Sequence, residues 1–247
     1  MKTLFTPFAI LALATQLSCA EQPKKEETLP AGLPTQLTVS ELKEEGFVTL
    51  FNGENLEGWR KTGGTGEFEV SGESIRGFGK DVKGNTFLRT DKEFSDFIFT
   101  FQFKFNDKSG NSGCMFRALH KDGKPDSRVT GYQCEHDQMR DPQRSWTAGI
   151  YDEARRGWLF PSKDNDSKEK LAAFTAQGEK LFKWDDWNTI VIRCQRNHLE
   201  TWLNGEKRAD FVDKDEEHTT LKGFIALQVH GGKSADILWK NLFLKEL

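Results

Sequence analysis

Tyrosine is almost missing from this chain, with 2 copies in 247 residues, and cysteine (4) and methionine (3) are scarce. No CxxC pair, HExxH helix, glycine-rich phosphate loop or GxSxG elbow occurs. The commonest zinc, nucleotide and serine-hydrolase chemistries are thereby excluded. Charge of one sign is lacking too: 35 basic side chains against 38 acidic ones leave a net −3, with neither a basic stripe nor an acidic tail. Nucleic-acid binding has no electrostatic basis here. Apart from Cys19 the thiols are Cys114, Cys134 and Cys194. An odd number argues against a disulfide framework, and buried small apolar residues are the expectation. No apolar run is long enough to span a bilayer as a helix. The first, Leu4 to Leu17, is also broken by Pro7.

That run follows Met1-Lys2-Thr3 and ends in small residues, the pattern of a signal peptide. Leu17-Ser18-Cys19 resembles a bacterial lipoprotein box, with Gln16 where a leucine is usual. Residues 1–19 are therefore expected to be a signal peptide and Cys19 a lipidated first residue of the mature protein. The expected location is the periplasm or outer membrane, with no membrane contact beyond the lipid. Residues 20–45 are rich in Lys, Glu, Pro and Thr and read as a solvated tether. Near its end, Thr38 to Glu45 suits a short helix capped by Ser40.

What the chain does have is phenylalanine, 20 copies, beside 7 tryptophans. Aromatics favour pleated sheets. From residue 46 the hydrophobic period is two. Phe97, Phe99, Phe101, Phe103 and Phe105 alternate with Ile98, Thr100, Gln102 and Lys104, which predicts a half-buried strand. Further strands are predicted at 47–51, 67–70, 74–78, 113–119, 130–137, 146–151, 187–195, 198–203, 223–230 and 237–244. Asn204-Gly205 marks a hairpin turn. Short strands at this spacing indicate one all-β sandwich over residues 46–247. Its one long irregular stretch, 152–183, has room for a helix near 168–176.

In a strand, Gln133, Glu135 and Asp137 share one face, while Tyr132, Cys134 and His136 share the other. Gln228 and His230 oppose Ile225, Leu227 and Val229 in the same way, and Arg117 lies on the face of Met115. If these polar faces align, Arg117, Gln133, Glu135, Asp137, Gln228 and His230 form one floor. Amides and carboxylates that bind hydroxyls, with tryptophans for ring faces, are the composition of a sugar cleft. Tyr151, Asp152, Glu153, Arg155, Arg156 and Trp158 follow a strand end closely and are placed to close one side. A solvated outer face and an internally paired turn are the plainer readings of these two groups.

Seven segments stand in an order that resembles the 3-keto-disaccharide hydrolase domain family, a bacterial group with a concanavalin A-like jelly-roll fold of two antiparallel sheets. They are FVTLFNGENLEGW (47–59), NSGCMFR (111–117), GYQCEHD (131–137), GIYDEARRGWL (149–159), WNT (187–189), LNG (203–205) and GFIALQVH (223–230). The resemblance covers about residues 46–247.

It implies action on glycosides whose C3 hydroxyl has become a ketone. The ketone acidifies the C2 proton, so a base removes it and the C1 substituent leaves by elimination, with water added afterwards. On this reading Glu135 or His230 is the base. Arg155, Arg156 or Arg117 steadies the enolate, and Asp137 or Glu153 serves as acid or metal ligand. Gln133, Tyr151, Asp152, Trp158 and Gln228 hold the sugar. No organic cofactor is called for; a divalent metal on Glu135, Asp137 and His230 is compatible with the residue types. Two rivals stand beside it. One is a direct glycosidase: Glu135-His136-Asp137 begins like a laminarinase-type signature, but Arg140 replaces its second glutamate, which leaves Glu153 as the partner. The other is a non-catalytic carbohydrate-binding domain on the same fold.

Overall fold

The structure, a computed structural model, describes Met1 and residues 38–107, 111–124, 127–140 and 143–247. Cys19, the rest of the expected signal peptide after Met1, and the tether through residue 37 lie outside the described residues. Helix α1 (Val39–Glu44) starts at Thr38 rather than at Ser40. The Thr38 hydroxyl accepts from the Glu41 amide and the Glu41 carboxylate accepts from the Thr38 amide, a reciprocal capping box.

The strands begin with β1 (Val48–Thr49), β2 (Trp59–Gly63), β3 (Glu67–Ser71), β4 (Ser74–Val82), β5 (Thr86–Phe94) and β6 (Phe97–Phe105). Then come β7 (Asn111–His120), β8 (Val129–Arg140), β9 (Gln143–Ser145), β10 (Ile150–Glu153) and β11 (Gly157–Phe160). Helix α2 (Lys168–Leu181) precedes β12 (Asn188–Gln195), β13 (His198–Leu203), β14 (Glu206–Val212), β15 (Gly223–Val229) and β16 (Gly232–Glu246). Two antiparallel eight-stranded sheets result. The first runs β14-β13-β12-β6-β16-β4-β3, with β1 also on β16; the second runs β11-β10-β8-β7-β15-β5-β2, with β9 also on β8. Strand β16 thus lies in the middle of its sheet, between β6 and β4.

The core fills the space between the sheets. Phe97, Phe99, Phe101, Phe103 and Phe105 all point inward and are buried, as the alternation predicts. Opposite them stand Cys114, Phe116, Tyr132, Cys134, Ile225 and Leu227 from the second sheet. The three described thiols are free and buried. One polar ring joins this layer. His136 is fully buried, stacks on Phe103 at 4.0 Å between centroids, and accepts from Trp239 Nε1 at 3.5 Å. Burial pushes its pKa down to about 3, so the ring is neutral.

On the second sheet the alternation puts the opposite set outward. In β8 these are Gln133, Glu135 and Asp137, and in β15 Gln228; β10 adds Tyr151 and Glu153, which pair in register with Gln133 and Gly131. The strand predicted at 146–151 comes instead as β9 and β10 on either side of a turn, in which Ala148 has φ +63°. Helix α2 is longer than expected, with Ser167 as its cap.

Candidate active site

The outer face of the second sheet holds a cleft of about 230 Å³, lined by Asn111, Gln133, Glu135, Arg144, Tyr151, Glu153, Trp158, Gln228 and His230. Its floor is a chain of side chains from neighbouring strands. Gln228 Nε2 donates to Gln133 Oε1 at 2.8 Å, and Gln133 Nε2 donates in turn to the Glu135 carboxylate. Gly113 lies beneath. A Cβ there would stand 2.6 Å from Gln133 Cδ, so only glycine lets that amide lie flat across β7 toward Glu135.

Glu135 is 5% exposed. Burial raises its pKa well above the ordinary range, the Asp137 charge adds to this, and the Gln133 bond opposes it. The group is therefore a protonated carboxylic acid well above the pH at which an ordinary glutamate ionises. Asp137 is wholly buried beside the cleft. Both its oxygens accept from Arg144, from Nε and, at 3.1 Å, from Nη2. Burial raises its pKa against the Arg144 contact. The Arg144 guanidinium lies 5.5 Å from the Trp158 ring and 5.7 Å from Trp146, and Trp158 meets Tyr151 edge-on at 5.4 Å. Glu153 accepts from Asn85 at 3.4 Å and Arg128 at 3.3 Å. His230 donates from Nδ1 to the Gly231 carbonyl at 2.7 Å, which leaves Nε2 as its other ring nitrogen.

Of the residues singled out from sequence, Gln133, Glu135, Tyr151, Glu153, Trp158, Gln228 and His230 meet in this cleft, with Asp137 next to it. Four do not. Arg117 sits in a β-bulge of β7 with φ +47°, where the register with β8 shifts. The bulge turns its side chain to the end of the sandwich. There it is fully buried, donating to the Ser95, Arg196 and Thr220 carbonyls and pairing with Asp96 at 2.7 Å. Asp152 alternates with Tyr151 and Glu153 and so points away from the cleft. It is buried and accepts from Arg155 Nε at 2.7 Å and from Arg156 Nε. Arg156 continues to Asp213 at 2.7 Å, and Arg155 to the His218 carbonyl at 2.8 Å. These three form an internally paired turn.

Two lining residues escaped sequence reasoning, Asn111 and Arg144. Arg144 belongs to a three-residue strand hidden in the connection after β8; an arginine two residues before Trp146 is its only signal in the sequence. Nor do Glu135, Asp137 and His230, the set whose residue types are compatible with a metal, bring their ligand atoms within 4.8 Å of one another. Asp137 is committed to Arg144. Among the described residues the only three ligand types with donor atoms within 4.8 Å of one another are His198, Glu200 and Asp210. They lie on β13 and β14, where Lys207 already pairs with both acids at 2.8 Å.

The sequence profile of the 3-keto-alpha-glucoside-1,2-lyase-like domain matches residues 46–245. The chain belongs to that family. Membership places it among carbohydrate-active proteins and agrees with the segments quoted above. No protein of curated function matches the chain closely enough to count as a relative. Among solved structures it is similar to a candidate glycosyl hydrolase from Parabacteroides distasonis, with 21% identity, TM-score 0.56, and coverage of 85% of this chain and 98% of that one. A carbohydrate-binding module, CBM66 of Bacillus subtilis, matches with 16% identity, TM-score 0.51, and 78% and 98% coverage. A Bacillus subtilis protein of unknown function with a galectin-like fold matches with 12% identity, TM-score 0.55, and 77% and 90% coverage. At such identities the likeness is one of fold, the concanavalin A-like jelly roll.

Proposed function

We propose that this protein cleaves the glycosidic bond of glycosides bearing a ketone at C3. One observation carries the reading: the buried Glu135 carboxyl, held protonated, and His230, whose Nδ1–H is tied to the Gly231 carbonyl so that Nε2 is its other ring nitrogen, share a cleft with the Arg144 guanidinium. A carboxylic acid kept protonated by burial and an imidazole nitrogen in the same cleft suit the acid and base roles. His230 Nε2 takes the C2 proton, and the electron pair moves into an enolate whose oxygen faces Arg144. As the enolate collapses, the C1–O bond breaks and Glu135 gives its proton to the departing oxygen. Water then adds across the C1=C2 bond, and the net result is hydrolysis. Gln133 and Gln228 present amides to hydroxyls, and Trp158 presents a ring face. The volume lies below the roughly 300–1,000 Å³ of drug-sized sites, which suits one sugar ring with its leaving group outside.

The deciding assay compares methyl 3-keto-α-glucoside with methyl α-glucoside. Loss of the keto sugar alone is the expected result. Equal turnover of both would point instead to a direct glycosidase using Glu135 and Glu153, and binding without turnover to a lectin. Glu135→Gln is expected to cut turnover by about 10²–10⁴ while keeping the circular-dichroism spectrum; a fully active variant would remove Glu135 from the chemistry.

A further inference from the structure

Arg144 reaches the cleft from the short strand β9, which pairs with β8 alone. Its backing comes from elsewhere in the chain. Arg208, on β14 of the opposite sheet, is 3% exposed. Its Nη2 donates to the Ser145 carbonyl at 2.9 Å and its Nε to the Thr147 carbonyl at 3.1 Å. Its Nη1 donates to the Phe174 carbonyl at 2.8 Å and to Gln177 Oε1 at 2.7 Å, and its guanidinium lies 3.6 Å from the Phe174 ring centroid. Helix α2 rests directly on the same segment. A Cβ at Gly178 would stand 1.9 Å from the Ser145 oxygen, and Trp146 Nε1 donates to Thr175 Oγ1 at 2.8 Å.

One side chain therefore grips the backbone on both sides of Trp146 and ties it to α2. All four of its acceptors are neutral oxygens. Burying a cation in such company is costly, and an apolar side chain of like volume serves stability as well or better. A fork of fixed geometry gives registration of the segment instead.

We propose that Arg208 is the positioning residue for Arg144: through the Ser145 and Thr147 carbonyls it keeps the Arg144 guanidinium on Asp137 and at the cleft. The effect on turnover rests on the function proposed above; the effect on Arg144 does not. Misplacing a group that stabilises the transition state by about 1 Å costs up to about 10²-fold. Arg208→Gln is accordingly expected to lower kcat on the keto sugar roughly 10- to 100-fold with a smaller change in KM.

The test is a cycle in the full chain with Arg208→Gln, Arg144→Gln and the pair together, followed by kinetics and by the ¹⁵N resonance of Arg144 Nε–H. Coupling is expected: Arg208→Gln adds almost nothing once Arg144 is gone, and in the single variant the Arg144 signal shifts or exchanges faster. Additive losses, or an unmoved Arg144 signal, overturn the proposal. Should Arg208→Gln fail to fold, Gly178→Ala displaces the same contact with Arg208 in place and must show the same coupling. An inactive wild type sinks the function while the Arg144 signal still decides the positioning.

Discussion

Glu135 is the residue where fold and chemistry conflict. Held protonated in the native state, it ionises at its ordinary 4.5 once the chain unfolds. The native state then binds more protons than the unfolded one, so this group's contribution to stability is fully present below pH 4.5 and is lost as pH rises through its raised native value. Glu135→Gln is therefore expected to raise the thermal midpoint relative to wild type more at pH 8 than at pH 4. The same offset at both pH values would show that the carboxyl is not held protonated. Strand alternation made the Glu135 face legible: three polar residues two apart on β8 projected together because a pleat leaves them no other side. Arg144 was not legible, because what brings it to the cleft is a long-range grip by α2 and Arg208.

Among the elements, the bulge in β7 decides most. The period of two predicts Arg117 on the cleft floor, and one extra residue in the strand sends it to the sandwich end. Periodicity carries no information about where a period slips. Arg117→Met is expected to cost about 3 kcal/mol in chemical denaturation, since carbonyls of three loops and Asp96 lose their donor. KM on the keto sugar should stay unchanged. A raised KM with intact stability would return Arg117 to the site. Other elements hid for similar reasons. β5 carries Asp91, Lys92 and Glu93 in a row, and β14 carries Lys207, Arg208 and Asp210, so charge masks their alternation. The phenylalanine strand, by contrast, could be read in full, because one face of it meets nothing but core.

At the scale of the whole molecule, the neutral imidazole between the sheets sets an acid limit. His136 has its pKa lowered to about 3 from 6.5, so its contribution is complete above pH 6.5 and is lost as pH falls toward 3, because the unfolded ring takes up a proton that the core refuses. Other groups titrate in the same range. Burial raises Asp137, and Arg156 and Tyr132 help hold Asp213 at about 2, so the comparison must be made against a variant. With His136→Phe, the difference in unfolding free energy from wild type is expected to change by roughly 1.4 kcal/mol per pH unit through the middle of that window. A constant difference between pH 7 and pH 4 would refute a buried neutral ring.

The placing of β16 has a consequence for how the molecule is made. The strand that completes the first sheet follows every other described strand in the chain, and β6 and β4 have no neighbour between them until it has been made. A growing chain cannot complete its phenylalanine layer until β16 has been made, and the closure joins residues far apart in sequence. Loss of β16 would remove the seam that holds both halves of that sheet.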